Sequence, residues 1–185
     1  YLFLVSTQIT SSHIDYRMPP QRFLFRYRYT YKNLLQWGLL GDKDAGETFF
    51  GKGQRAGFDF YSFHFFARKI GIIQSVAIGD FTVNMGQGLI QWQGLAFRKS
   101  ADVMGVERQS TILRPYNSAG EFYFHRGAGI TIQSGKIQST LFASFRQLNA
   151  NAIIDTLTKE ERISSFLVSG YNRSYSETDD KNRIK

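Results

Sequence analysis

The chain has no cysteine, which excludes a disulfide framework and any thiolate chemistry. Its three histidines, His13, His64 and His125, are too few for a His-rich metal site. No run of about 18 apolar residues occurs, so no transmembrane helix is predicted. Acidic residues are in the minority, 15 against 23 Lys and Arg, for a net charge of +8. That surplus admits nucleic acid, anionic head groups, an acidic ligand or plain solubility. The opening Tyr1–Val5 lacks a basic start, a long apolar stretch and a small-residue cleavage site, so it does not read as a signal peptide. With 21% charged and 42% hydrophobic residues, wholesale disorder is excluded. The 185 residues suit one domain with a sizeable core.

What is present is aromatic. Phe, at 17, outnumbers Leu, and Phe, Trp and Tyr together reach 16%. With 17 Gly, this favours strands over helices. The clearest pattern runs from Phe23 to Lys32. Phe23, Phe25, Tyr27, Tyr29 and Tyr31 occupy one parity; Arg26, Arg28, Thr30 and Lys32 occupy the other. On a strand these are opposite faces, one apolar and one cationic, whereas a helix would scatter them.

Strands are predicted at 1–10, 23–32, 34–41, 57–67, 72–84, 120–132, 136–147 and 163–175. In 72–84 the alternation slips at Gly79, the mark of a bulge. In 57–67 it shifts between Phe60 and Tyr61, and in 120–132 Arg126 falls on the apolar side. Long connections (11–22, 42–56, 85–119, 148–162) alternate with tight turns near Asn33, at 68–71 and at 133–135. In a meander all long loops then lie at one end and all tight turns at the other, as in transmembrane barrels.

Strands of about 9–11 residues cross a bilayer when tilted, and a closed sheet satisfies every backbone polar group there. The negative mean hydropathy fits polar lumen faces and loops. The expected fold is all-β, an antiparallel up-and-down transmembrane β-barrel, with about eight strands visible as part of a larger barrel. Residues 1–185 form a single barrel segment with no second domain. The alternative exchanges the faces: a soluble basic β-barrel or sandwich binding polyanions or carbohydrate through aromatic platforms. Nucleic-acid binding is disfavoured, because it needs rings and basic groups on the same face.

One region carries more. Residues 79–92 read GDFTVNMGQGLIQW; Phe97-Arg98-Lys99-Ser100, Leu113-Arg114-Pro115-Tyr116-Asn117-Ser118, Glu121 and Phe124-His125-Arg126-Gly127 follow. Upstream lie Gly46-Glu47 and Gly57-Phe58-Asp59-Phe60-Tyr61-Ser62-Phe63-His64. This ordered set, spanning about 26 to 147, resembles the barrel portion of Bacteroidetes outer-membrane proteins known as helix-hairpin-helix domain-containing. No helix-hairpin-helix segment is legible here, and the last residues, Asp179 to Lys185, lack the terminal aromatic common in such barrels. The resemblance implies an internal piece of a longer barrel in the bacterial outer membrane, and implies no particular chemistry. Lipid, lipopolysaccharide and a protein of a secretion or envelope assembly are the implied partners.

Lumen-lining candidates are the cations Arg26, Arg28 and Lys32 with the carboxylates Asp59, Asp80 and Glu121. They could favour anionic solutes, or simply pair with one another across strands. Arg98, Lys99, Arg108, Arg114 and Tyr116 are loop candidates for partner or lipopolysaccharide contact. Gly86-Gln87-Gly88 and Gly51-Lys52-Gly53 lack the continuation of a phosphate loop and read as bends. Asp42, Asp44 and Glu47 do not follow calcium-loop spacing and read as a solvated loop. His64 and His125 with Glu121 match no catalytic or zinc motif. No cofactor, metal or catalytic residue is predicted, and the expected role is structural, transport or partner docking without catalysis.

Overall fold

A computed structural model describes residues 2–9, 21–45, 57–93, 110–154, 161–166 and 168. Among these no helix occurs. Ten strands are formed: β1 (Leu2–Ile9), β2 (Gln21–Tyr31), β3 (Leu35–Lys43), β4 (Phe60–Ile70), β5 (Ile73–Val83), β6 (Leu113–Pro115), β7 (His125–Ser134), β8 (Ile137–Ser144), β9 (Ala150–Ile154) and β10 (Glu161–Phe166). The first eight make one antiparallel sheet in the order β1-β2-β3-β4-β5-β7-β8, with β6 paired to β5; β9 and β10 form a separate two-stranded sheet.

The all-β, up-and-down expectation therefore holds. Closure does not follow among the described residues: the sheet is open, with β1 and β8 at its edges. β9 falls in the predicted loop 148–162, and β6 inside the predicted loop 85–119. The predicted strand 120–132 begins only at His125, because residues 116–120 fold into a turn held by Tyr116 Oη donating to the Gly120 carbonyl and Gly120 N donating to Ser118 Oγ.

The tight turns fall between β2 and β3, β4 and β5, and β7 and β8, hence on one rim. At the first, Lys32 and Asn33 take φ of 45° and 54°, the sign pattern of mirror-image hairpin turns. Lys32 is thus a turn residue beside the Tyr31 ring, not a member of the cationic face.

Register fixes the faces. Across β2, β3 and β4, Tyr27 pairs with Leu39 and Leu39 with Phe63, while Arg26 pairs with Leu40 and Leu40 with Ser62. The Tyr27 side continues through Ile78, Ala128 and Ala143; the Leu40 side continues through Ala77, Gly129 and Phe142. The phase shift predicted between Phe60 and Tyr61 is one of residue type and not of the strand: burial and register alternate without a break, with Phe60, Ser62, His64 and Phe66 buried and Tyr61 and Phe63 exposed.

The second face, called inner here, holds the core. Phe66, Ala77, Phe81, Val83 and Leu113 form one cluster; Leu40, Phe60 and Phe124 form another, with Leu24 and Tyr116 against it. Leu113 and Phe124 come from the chain that returns after β5 and lies over this face. Removing side chains such as Phe81 and Leu113 from water contributes about 1.5–3 kcal/mol each. Leu113 packs on Gly129, where a Cβ would stand 3.1 Å from its methyl group.

Candidate functional site

The sheet presents two chemically distinct surfaces. On the outer face Phe25, Leu39, Tyr61, Phe63, Ile78 and Leu141 are exposed, from 36% for Phe25 to 75% for Leu141. They come from β2, β3, β4, β5 and β8, with Ala128 exposed between them on β7. Towards the tight-turn rim this face carries a ring cluster: Trp37 lies 5.0 Å from Tyr27 and 6.3 Å from Tyr29.

The inner face holds a buried imidazole, while the ion pair of Asp80 with Arg126 has the outer-face parity of Ile78 and Ala128. His64 on β4 is buried, within 3.3 Å of Gln36. Gly38 faces it from β3, and a Cβ there would stand 2.6 Å from His64 Cε1, so glycine makes room for the imidazole.

β5 parts from β4 after the pair His64–Gly79. Gly79 has φ of 89°, and a Cβ on it would lie 2.3 Å from the Phe63 carbonyl oxygen. The alternation predicted a bulge here, but the register with β7 runs unbroken through Gly79, and the one irregularity of β5 lies between Ile73 and Ser75; what happens at Gly79 is the end of pairing with β4. Immediately beyond it Asp80, 1% exposed, meets Arg126 of β7. Arg126 donates from Nε to Asp80 Oδ1 at 2.7 Å and from Nη2 to Oδ2 at 2.8 Å, a bidentate pair. Nη2 also donates to the Tyr61 carbonyl at 2.6 Å. That carbonyl lies on the part of β4 that has no β5 partner, so the guanidinium satisfies backbone where the ladder stops. The pair borders an open groove of about 540 Å³ walled by Phe25, Leu39, Phe58 and Phe63.

A second groove, of about 480 Å³, lies at the rim opposite the tight turns and is lined by Gln91, Gln93, His125, Ser144 and Arg146. Gln91 and the His125 imidazole are hydrogen-bonded. Arg146 lies over the Phe124 ring at 4.4 Å and the Phe122 ring at 5.6 Å, and its Nη1 donates to the Phe124 carbonyl at 2.9 Å. Burial, and then the neighbouring Arg126, push the Arg146 pKa down. Tyr116 stacks on Phe124 at 4.9 Å, and burial pushes its phenol pKa up.

The predicted site residues disperse. Arg26 and Arg28 do lie on the Leu40 side of β2, where Arg26 Nε is buried without a hydrogen-bond partner and Arg28 is exposed. Asp80 is on the sheet, but its partner is Arg126, not a β2 cation. Asp59 and Glu121 precede β4 and β7 instead of lying on them, because both strands start later than their alternation suggested. Arg114 sits on β6, exposed, and Tyr116 stacks on Phe124. Arg98, Lys99, Arg108, Glu47 and Gly51–Gly53 lie outside the described residues. Asp42 is not in a solvated loop: it is buried at the end of β3 and held by Arg22, which also reaches Asp44 at 3.3 Å. Gly86–Gly88 is a bend, with Gly88 N donating to the Met85 carbonyl. Among the described residues no cluster of His, Asp and Glu could hold a metal ion. The Arg126 and Arg146 positions were missed; the one sequence signal was the misplaced cation of an apolar alternation at Arg126.

Nothing among family models, curated proteins or solved structures matches this chain.

Proposed function

We propose that this chain is part of the wall of an outer-membrane β-barrel of a Gram-negative bacterium. Its role is structural, transport or partner docking within an envelope or secretion assembly, without catalysis. The observation that carries this reading is the outer face. Exposed apolar side chains on β2, β3, β4, β5 and β8 share this face, more than the scattered single residues of a typical water-soluble surface. Against acyl chains the same surface is matched. The other features agree. β2, β4 and β5 have 11 residues and β7 has 10, lengths that suit a tilted crossing. The Tyr27, Tyr29 and Trp37 cluster near the tight-turn rim suits an interfacial aromatic girdle. The motif order that resembles the Bacteroidetes barrel family points the same way. Hydrocarbon tolerates no unpaired sheet edge, so this reading requires β1 and β8 to meet further strands in the membrane.

The test is extraction and gel migration. The protein should leave membranes only with detergent, and its folded form should migrate differently before and after heating. A chain that purifies monodisperse without detergent would overturn the reading in favour of a soluble domain.

A further inference from the structure

We propose that the rim groove beside Arg146 is a binding site for a phosphorylated sugar. Two groups there have unmet chemistry. Arg146 is half-buried, yet among the described residues no carboxylate lies within ion-pair distance of it. The nearby acid, Asp80, already has both oxygens engaged by Arg126. The pocket therefore carries surplus positive charge, with Arg146 held over the Phe122 and Phe124 rings and only one of its donors bound to a carbonyl. A planar guanidinium fixed in this way offers its remaining donors to an oxyanion as a preformed fork.

The second group is Gln93, which lines the same groove and whose Oε1 is buried without a hydrogen-bond partner. Buried acceptors are rarely left unpaired. An oxyanion cannot satisfy this one, since it brings no donor; a sugar hydroxyl can. Gln91, His125 and Ser144 add neutral polar groups around the groove, and the exposed rings of Tyr123 and Phe145 form its walls. The volume, about 480 Å³, is within the range of small-molecule pockets. An anionic oxygen on Arg146 and a hydroxyl on Gln93 are together the signature of a sugar phosphate. Such a group could be free or borne on a glycolipid. The inference stands on Arg146 and Gln93 and does not rest on the membrane reading.

The test titrates the full chain in detergent with glucose 1-phosphate, glucose and inorganic phosphate, by calorimetry and by the fluorescence of Trp92, which lies between the two glutamines in sequence. Glucose 1-phosphate should bind saturably and more tightly than either half alone. Arg146→Gln should weaken it by roughly tenfold to a hundredfold, the loss of a charge-assisted contact. Gln93→Leu should reduce it to the level of inorganic phosphate. A parallel arm uses phosphatidylcholine vesicles carrying a phosphorylated glucosamine disaccharide lipid; binding there but not to the free sugar assigns the ligand to a lipid. Absence of binding in both arms, or binding unchanged by Gln93→Leu, overturns the proposal, and the latter result remains decisive if Arg146→Gln does not fold. Inorganic phosphate binding as tightly as the sugar phosphate overturns the sugar assignment.

Discussion

At the residue scale the structure turns on a few polar groups held in apolar surroundings. Asp80 is fully buried while Arg126 is nearly half exposed, so their pair is worth less than a wholly buried one. Asp80→Asn should nevertheless cost about 2 kcal/mol in a denaturant titration, because it leaves a guanidinium and the Tyr61 carbonyl arrangement without their anchor. Tyr116 offers a pH test. Its phenol pKa is raised above the ordinary 10.0, chiefly by burial, so the folded chain holds this proton more tightly than the unfolded chain. That contribution is complete below the unfolded pKa and is lost as pH rises through the folded one. Tyr116 should therefore be among the last tyrosines to ionise in an alkaline absorbance titration, and Tyr116→Phe should remove that late component.

At the scale of elements, β5 is the strand on which the sheet depends. It pairs with β4 along Ile73–Gly79, with β7 along Ile73–Phe81 and with β6 along Phe81–Val83. The exchange of partners happens at Gly79, whose φ of 89° and contact with the Phe63 carbonyl exclude a side chain. Gly79→Ala should destabilise by about 2 kcal/mol or more, as expected for a strained left-handed residue with a backbone clash. The loss should appear as a lower midpoint in denaturant and as faster amide exchange in β4 and β5. A control substitution at Gly71, where a Cβ would meet nothing within 4 Å, should cost less.

At the scale of the whole molecule, the distinguishing property is that one face of the sheet holds the core while the other leaves Phe25, Tyr61, Phe63 and Leu141 exposed. If that exposed face meets lipid, Phe25→Asp or Leu141→Asp should block assembly, since charge on a lipid face costs about 2–4 kcal/mol for the worst residues at mid-depth. Arg28→Ala, on the other face, should assemble nearly normally. The comparison is read by detergent extraction and heat-modifiable migration of the three variants. Normal assembly of Phe25→Asp with failure of Arg28→Ala would reverse the face assignment.

Much of this was legible along the chain because local alternation is a local property. The Phe23–Tyr31 parity and the long-short rhythm of connections map onto an observed strand and rim, and the slip at Gly79 marks where pairing with β4 ends, though not the bulge it suggested. β6 was not legible, because three residues carry no period and only Phe81–Val83 beside them makes them a strand. The late starts of β4 and β7 escaped for a related reason: alternation continues past the point where turn contacts such as Tyr116 to Gly120 claim the backbone. The sequence by itself determined that the chain would be strands, with the rings and the cations of β2 on opposite faces. Only the tertiary structure decided which face is covered, and that Asp80 meets Arg126 while, among the described residues, Arg146 meets no acid. Those outcomes depend on register between residues dozens of positions apart, which no pattern within a single strand encodes.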